Sequence, residues 1–351
     1  MDKYLRNTVE FFIAGIIALL IALIFLIPTG LDPFAALQSV FLGSFRDTLQ
    51  VMNLIKYCTI FLLTSLSVLI PYKARIWNIG GEGQLYMGAL GATWISVVLG
   101  QYGNVVLLYL TAMLVGALWA GLAGVLKAKF NADEIVTTIF LNFIAIYIVS
   151  WSVSNAPGTL RDTTQKWNQS WPIPRWETID FYYGTALALF LVFFTYFVLN
   201  RTRIGYSIRA LGGNPKAADY ANFGKTKITV LSLMAGGAMA GLAGAFILTS
   251  IFNVLLLGLS ANYGYLGIGA AAMVTFDTIL LVPSSILFSM FFMGMKTMQI
   301  QMGASETIIP VLIGLTILIS MIRGNETVRK QLAMIPTWIR ISKRKEKSWS
   351  A

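Results

Sequence analysis

Histidine is absent from this 351-residue chain, and cysteine occurs once. Without imidazole there is no Ser–His hydrolase triad and no His-ligated zinc. Cys58 stands alone inside an apolar run, which excludes a disulfide framework, a Cys-rich metal site and a thiol redox pair. Charge is scarce as well: 12% of residues are charged against 57% apolar, and the mean hydropathy is +0.72. A soluble domain of this length has no core large enough to hide so much apolar surface. The solvent is lipid, no separate soluble domain is expected, and the chain is not read as an enzyme.

What is present is a recurrence of apolar runs. A helix crossing a hydrocarbon layer of about 30 Å needs roughly 20 mostly apolar residues. Runs near that length fall at 11–28, 57–71, 84–100, 104–125, 135–151, 184–200, 228–250, 263–276, 282–298 and 307–322. The expected fold is all-α: a single polytopic bundle of about ten transmembrane helices filling residues 1–351. The N-terminal run follows Lys3 and Arg6 as in a signal peptide, but it exceeds an h-region of about 7–15 residues and is read as a retained span.

The net charge of +11 takes its meaning from where the bases lie. With both termini cytoplasmic, Arg46, Lys56, Arg161, Lys166, Arg175 and Lys296 fall outside or near the outer face. All other Lys and Arg fall inside. The positive-inside rule selects that orientation. Anionic inner-leaflet lipid is then a sufficient partner, and nucleic acid is not expected. The tail at 323–351 becomes a basic cytoplasmic segment, and 152–183 an extracytoplasmic loop. With Trp151 at its edge, that loop carries Trp167, Trp171 and Trp176 with Pro157, Pro172 and Pro174. It suits either a membrane-interface belt or a docking lip.

The longest internal cytoplasmic segment is 201–227. Gly212 and Gly213 break the chain there, and Asn214-Pro215 opens a short helix through Lys216, Ala217, Ala218 and Tyr220. A short exposed helix with small residues and one aromatic can press into a groove on another protein. Gly224-Lys225-Thr226 imitates the end of a phosphate-binding loop, but Asp219 stands where that motif needs glycine and no strand precedes it. ATP hydrolysis is therefore expected on a separate subunit.

Glycines at 80, 81, 83, 88 and 91, and at 236, 237, 241 and 244, put small residues on helix faces at helical spacings. Such faces let backbones meet closely, in sliding or in static contacts. Polar groups interrupt two spans: Asn78, Glu82 and Gln84 near the third, Thr137, Thr138 and Asn142 in the fifth. They are candidates for a translocation pathway or for interhelical hydrogen bonds. Ion-coupled secondary carriers keep Asp, Glu or His at mid-membrane. Here Glu82, Asp133, Glu134, Asp277 and Glu306 all lie near predicted helix ends.

Four stretches carry a resemblance that covers nearly the whole chain: WNIGGEGQLYMGA at 77–89, ADEIVTTIFLNFIAIYIV at 132–149, ALGGNPKAADYANFG at 210–224 and MGASETIIPVLIGLTIL at 302–318. Together they resemble the permease family of bacterial ABC importers for ribose, other simple sugars and nucleosides, most closely its nucleoside-type branch. The resemblance implies a multi-pass subunit of the bacterial inner membrane working by alternating access. Its partners would be a second related permease, an ABC ATPase subunit that binds ATP and Mg, and an extracytoplasmic substrate-binding lipoprotein. No cofactor is expected in this chain. It also implies that 201–227 is the coupling segment. Within it Gly213, Asn214, Pro215, Ala217, Ala218 and Gly224 fall on the family's Gly-Asn-x-x-Ala-Ala…Gly pattern. The stretch from Gly267 to Val282 departs from the family by lacking a Gly-rich turn, with Asp277 in place of small residues. The competing readings are an ion-coupled secondary transporter of a small polar solute and an ABC permease for another ligand such as riboflavin.

Overall fold

The computed structural model describes residues 32–100, 104–155, 170–172, 181–220 and 223–303, with positions 311 and 314. The expected span at 11–28, that at 307–322 apart from positions 311 and 314, and the tail at 323–351 lie outside this set, as does most of the 152–183 loop. Within it the chain is almost wholly helical. Six helices are long and apolar enough to cross a membrane: α2 (Thr48–Tyr72), α4 (Val105–Phe130), α5 (Glu134–Asn155), α6 (Phe181–Arg201), Lys225–Phe252 and α11 (Leu281–Met302). This is a multi-pass membrane protein.

Local chemistry sets the helix starts. α1 (Pro33–Leu42) begins on a proline at its first position, and the Asp32 carboxylate accepts from Phe34 N at 2.9 Å. Asp47, Asn104 and Asp133 cap α2, α4 and α5 in the same way, each accepting from a backbone N–H of the first turn. α4 ends on Asn131 in the left-handed region, and Lys127 pairs with Glu134 across the turn at 2.7 Å. α3 (Gly81–Leu99) lies between α2 and α4 in sequence. α7 (Arg203–Gly213) and α8 (Pro215–Tyr220) form the hairpin between α6 and α9. α9 (Lys225–Ile247) runs on through a π turn at Leu248–Phe252 into β2 (Val254–Leu256). That strand pairs antiparallel with β1 (Ser170–Pro172).

The helices alternate in direction, so Lys73, Arg75, Lys127, Lys129, Arg201 and Arg209 gather at one end, called here the basic end. The two strands mark the opposite, strand end. Burial is uneven: α2 and α9 are mostly enclosed, whereas α4, α5 and α6 show most of their surface to the surroundings. Phe140, Phe143, Tyr147 and Trp151 on α5 are exposed, as are Phe190, Phe193 and Phe197 on α6. In water this would be an error of folding; in lipid it is the outer wall.

α9 is the axle. Its glycines replace side chains with backbone contacts on three sides: Gly236 meets the Ser67 carbonyl of α2, Gly244 the Leu85 carbonyl of α3, and Gly237 and Gly241 meet Gly116 and Ala112 of α4. A methyl on Gly88 would run into the Gly241 backbone. Lipid tails are as apolar as leucine, so burial alone gives helices little reason to associate; close backbone approach supplies dispersion contacts instead.

The run expected to span at 263–276 is instead α10 (Tyr263–Met273). Eleven residues give a helix of about 16 Å, half a hydrocarbon core. Irregular backbone from Asn253 to Asn262, both with positive φ, leads to its start. At its other end Thr275 and Phe276 take left-handed conformations with φ of 53° and 56°, although neither is glycine. That turn is the place where the expected glycines were missing. It closes by other means: Thr275 N donates to Ala272 O and Phe276 N to Ala271 O, each at 2.9 Å. Asp277 Oδ1 accepts from Ile279 N and Leu280 N, closing the turn that leads into α11.

These contacts predict opposite outcomes for two glycines. Gly241→Val forces the α4 and α9 backbones apart and is expected to destabilise the detergent-solubilised protein by about 3 kcal/mol or more. Gly213, with open space around its Cα, is expected to accept alanine within about 0.5 kcal/mol. Thermal unfolding followed by tryptophan fluorescence measures both.

Candidate functional site

The polar residues singled out in the third and fifth spans converge. Residues 76–80 turn back from the basic end into the bundle, so α3 starts beside Ser67 of α2 rather than at the surface. Asn78 and Gln84 face each other with reciprocal amide hydrogen bonds: Asn78 Nδ2 donates to Gln84 Oε1 at 3.0 Å, and Gln84 Nε2 to Asn78 Oδ1 at 2.9 Å. Asn78 Nδ2 also donates to Ser67 O, and Asn78 Oδ1 accepts from Gly80 N. This pair fastens the entrance of α3 to α2.

Asn142 does the same from α5. Its Oδ1 accepts from Gly83 N at 2.8 Å, and its Nδ2 donates to Ile79 O and to the Tyr265 hydroxyl, both at 2.9 Å. A Cβ on Gly83 would stand 2.7 Å from Asn142 Cα, so the amide reaches the α3 backbone only because position 83 is glycine. Thr138 is buried beside Gly80 and returns its hydroxyl to Glu134 O. Thr137, half-buried, bonds the carbonyls of Asp133 and Glu134 and joins none of the cluster.

Glu82 sits at the centre, 2% exposed. Its Oε2 accepts from Gly264 N at 2.9 Å, the second residue of α10, and the Ser260 hydroxyl lies beside the same carboxylate. Ser260 Oγ in turn accepts from Tyr263 N, and Ser260 N donates to the Tyr86 hydroxyl. The free N–H groups of a helix start carry partial positive charge. Two starts, those of α3 and α10, meet at this one carboxyl group. A charged group in the interior is tolerated when such donors surround it. Tyr265, Ser260 and Gly264 escaped the sequence reading because two of their contributions are backbone N–H groups, which no residue letter announces. The one available signal was the break at Asn262-Tyr263-Gly264 in an apolar run.

At the basic end the hairpin of α7 and α8 is tied to the bundle. Thr202 caps α7, accepting from Gly205 N. Asn214 ends α7, and its Oδ1 accepts from Lys216 N at the start of α8. Ala218 N donates to Asn214 O and Phe223 N to Ala218 O, so the hairpin folds back on itself. Ala218 is buried and Tyr220 is 92% exposed; Pro215 opens α8, and Gly213 faces open space. Of Ala217 the structure describes the backbone, within α8. Gly224, with φ of 66°, starts α9. Beneath the hairpin, Gly212 lies against the Lys73 carbonyl. Lys73 Nζ donates to Phe276 O at 2.7 Å, and the Phe276 ring stacks on Tyr72 with centroids 3.7 Å apart. Burial lowers the Lys73 pKa, with Asp277 opposing the shift and Arg209 adding to it.

A bundle with exposed apolar walls, a short helix starting inside it on a buried carboxyl group, and an exposed basic-end hairpin is the architecture of a membrane transport subunit. The comparisons place it. The chain belongs to the family described as branched-chain amino acid transport system / permease component, whose model matches residues 50–322. It is similar to the guanosine ABC transporter permease protein NupP of Bacillus subtilis, with 28% identity over 91% of this chain and 94% of the relative. It is also similar to the glucose ABC transporter permease protein TsgB13 of Haloferax volcanii, at 26% identity over 86% and 83%. A third relative is the nucleoside ABC transporter permease protein NupB of Lactococcus lactis, at 24% identity over 84% and 85%. No solved structure matches. The protein is a permease component of the ABC transporter class.

Removing the Glu82 carboxyl group tests the cluster. Glu82→Ala strands the Gly264 N–H in the interior and is expected to cost about 1–3 kcal/mol, whereas Glu82→Gln keeps a carbonyl acceptor and recovers most of it. Equal losses in thermal unfolding for the two variants would sink this account of the clasp.

Proposed function

We propose that this chain is the membrane-spanning permease of an ATP-driven importer of nucleosides or related small sugars in a bacterial cytoplasmic membrane. The observation that carries the substrate class is the end-to-end similarity to permeases named for guanosine and for nucleosides; the glucose permease adds the sugar limb. A neutral nucleoside also suits a path walled by amides, hydroxyls and aromatic rings, because ribose hydroxyls need partners and a base stacks.

In this reading the basic end faces the cytoplasm, as positive charge requires, and both termini lie there. With α3, the half-length α10 and two further spans at 11–28 and 307–322, the six long apolar helices make a bundle of about ten. Residues 201–227 are the coupling segment, and Gly213, Asn214, Pro215, Ala217, Ala218 and Gly224 shape it against a separate ATPase subunit that holds ATP and Mg. A second related permease completes the path, and an extracytoplasmic lipoprotein delivers substrate at the strand end. The cluster of Asn78, Glu82, Gln84 and Asn142 borders the path, and Thr137, outside the cluster on the same helix as Asn142, lies along it. ATP closes the ATPase pair, the hairpin shifts, and the bundles exchange outward- and inward-open arrangements. For that to work ATP must favour one arrangement over the other.

Ala218 points inward, so a charge there would disrupt the hairpin itself; Tyr220 is the better probe of the partner surface. In proteoliposomes holding this chain with its three protein partners, Tyr220→Asp is expected to cut ATP-dependent nucleoside uptake at least tenfold while the subunit still inserts. Uptake by this chain alone, without ATP, would instead identify a secondary carrier.

A further inference from the structure

The link between α2 and α3, residues 72–77, touches the basic-end hairpin, the end of α10 and the entrance of α3 at once. On the hairpin side, Gly212 of α7 packs so closely that a methyl on it would run into the Lys73 carbonyl. Ile208 and Leu211 of the same helix are buried. On the α10 side, Lys73 Nζ donates to Phe276 O at 2.7 Å, a short, charge-assisted bond. The Phe276 ring lies on that of Tyr72 with planes 22° apart, and the edge of Trp77 meets it at 5.9 Å. Toward α3 the same link runs directly into Asn78, which is held by the Ser67 carbonyl and by Gln84.

The turn gripped in this way has little stability of its own. Thr275 and Phe276 both have positive φ, a conformation that is costly for residues with a Cβ and that persists only where the surroundings fix it. Thr275 N and Phe276 N are bonded back to the last carbonyls of α10, so a pull on the Phe276 carbonyl is a pull on the end of that helix. α10 is one unbroken helix of eleven residues, a rod of about 16 Å. At its far end Gly264 N donates to the Glu82 carboxylate at 2.9 Å.

We infer that Lys73 is the positioning residue that keeps α10 in step with the basic-end hairpin. Its backbone bears on Gly212, and its ammonium holds the Phe276 carbonyl; the stack on Tyr72, the residue before it, holds the same turn at a second point. A displacement of α7 that reaches the Lys73 backbone is thereby passed to α10 and to the clasp between Gly264 and Glu82. The inference rests on the importer reading above, which makes the hairpin the part that moves with ATP, and it adds the residue through which that movement enters the bundle. With the bond broken, the hairpin still answers the ATPase while α10 no longer follows. Hydrolysis and transport then come apart.

The test is the ratio of guanosine imported to ATP hydrolysed, per inserted complex, in proteoliposomes holding this chain with its ATPase, second permease and binding protein. Lys73→Met is expected to lower that ratio about tenfold, the size of one charge-assisted hydrogen bond, with hydrolysis kept within about twofold of wild type. Lys73→Arg retains a charged donor and keeps the ratio within about threefold. Should Lys73→Met fail to insert, Lys73→Gln carries the same prediction, since it is polar but too short to reach the carbonyl. A merely structural role lowers uptake and hydrolysis together; that result, or an unchanged ratio, overturns the inference and leaves the importer in place. A wild-type complex that imports guanosine without ATP, or hydrolyses ATP without importing it, removes the reading beneath it as well.

Discussion

A hydrogen-bonding group inside a hydrocarbon layer has no water to turn to, and each one left unpaired costs several kcal/mol. That constraint arranges most of what is distinctive here. It makes the chain helical, returns the hydroxyls of Thr64, Thr93, Ser232 and Ser289 to carbonyls one turn back, and leaves broken backbone only where partners are already in place. The interruption before α10 is the clearest case. Its released donors are taken up by the Glu82 carboxylate and by Ser260, and the Gly267 carbonyl by the Ser65 hydroxyl. A half-helix therefore survives at mid-depth because a polar cluster exists to receive it. The reverse holds as well: the carboxylate survives because a helix start points at it.

The glycines of α9 serve the same end by other means. Where Gly236, Gly241 and Gly244 press on the backbones of α2, α4 and α3, there is no side-chain layer to cushion relative motion. Contacts of backbone on backbone bring the helices as close as two helices can come, and they resist separation. Of the long apolar helices α2 and α9 are the least exposed, and α4, α5 and α6 hold the lipid away.

The sequence made some of this legible. Helix positions followed from apolar runs and the residues that bound them, because length and polarity at the ends are one-dimensional properties. The small-residue spacing on α9 was visible too, yet its partners were not: Gly88 and Gly116 are far from Gly241 in the chain, and no periodicity names a contact. Asn78, Glu82, Gln84 and Asn142 stood out as polar letters in apolar text. What they bond to did not, since Gly83 N, Gly264 N and the Ile79 carbonyl belong to the backbone. The reading of 263–276 as a full span failed for a related reason. Hydropathy counts apolar residues and is blind to a backbone that turns at Thr275 and Phe276, two residues with no preference for positive φ.

That turn has a further consequence. A left-handed conformation costs a non-glycine residue about 1–2 kcal/mol, and two in succession hold only when their surroundings fix them. Phe276 is fixed by its stack on Tyr72, by the edge of Trp77 and by the Lys73 ammonium on its carbonyl. Lys73 is in turn covered by Gly212 of the basic-end hairpin. A rigid chain of contacts thus runs from the hairpin through Lys73 and Phe276 into α10, and along that short helix to Gly264 and Glu82. A glycine-rich turn at the same place would be free to flex. A turn clamped by an aromatic stack keeps one shape, which gives a physical reason for this chain to have Phe276 and Asp277 where small residues would close the loop more cheaply.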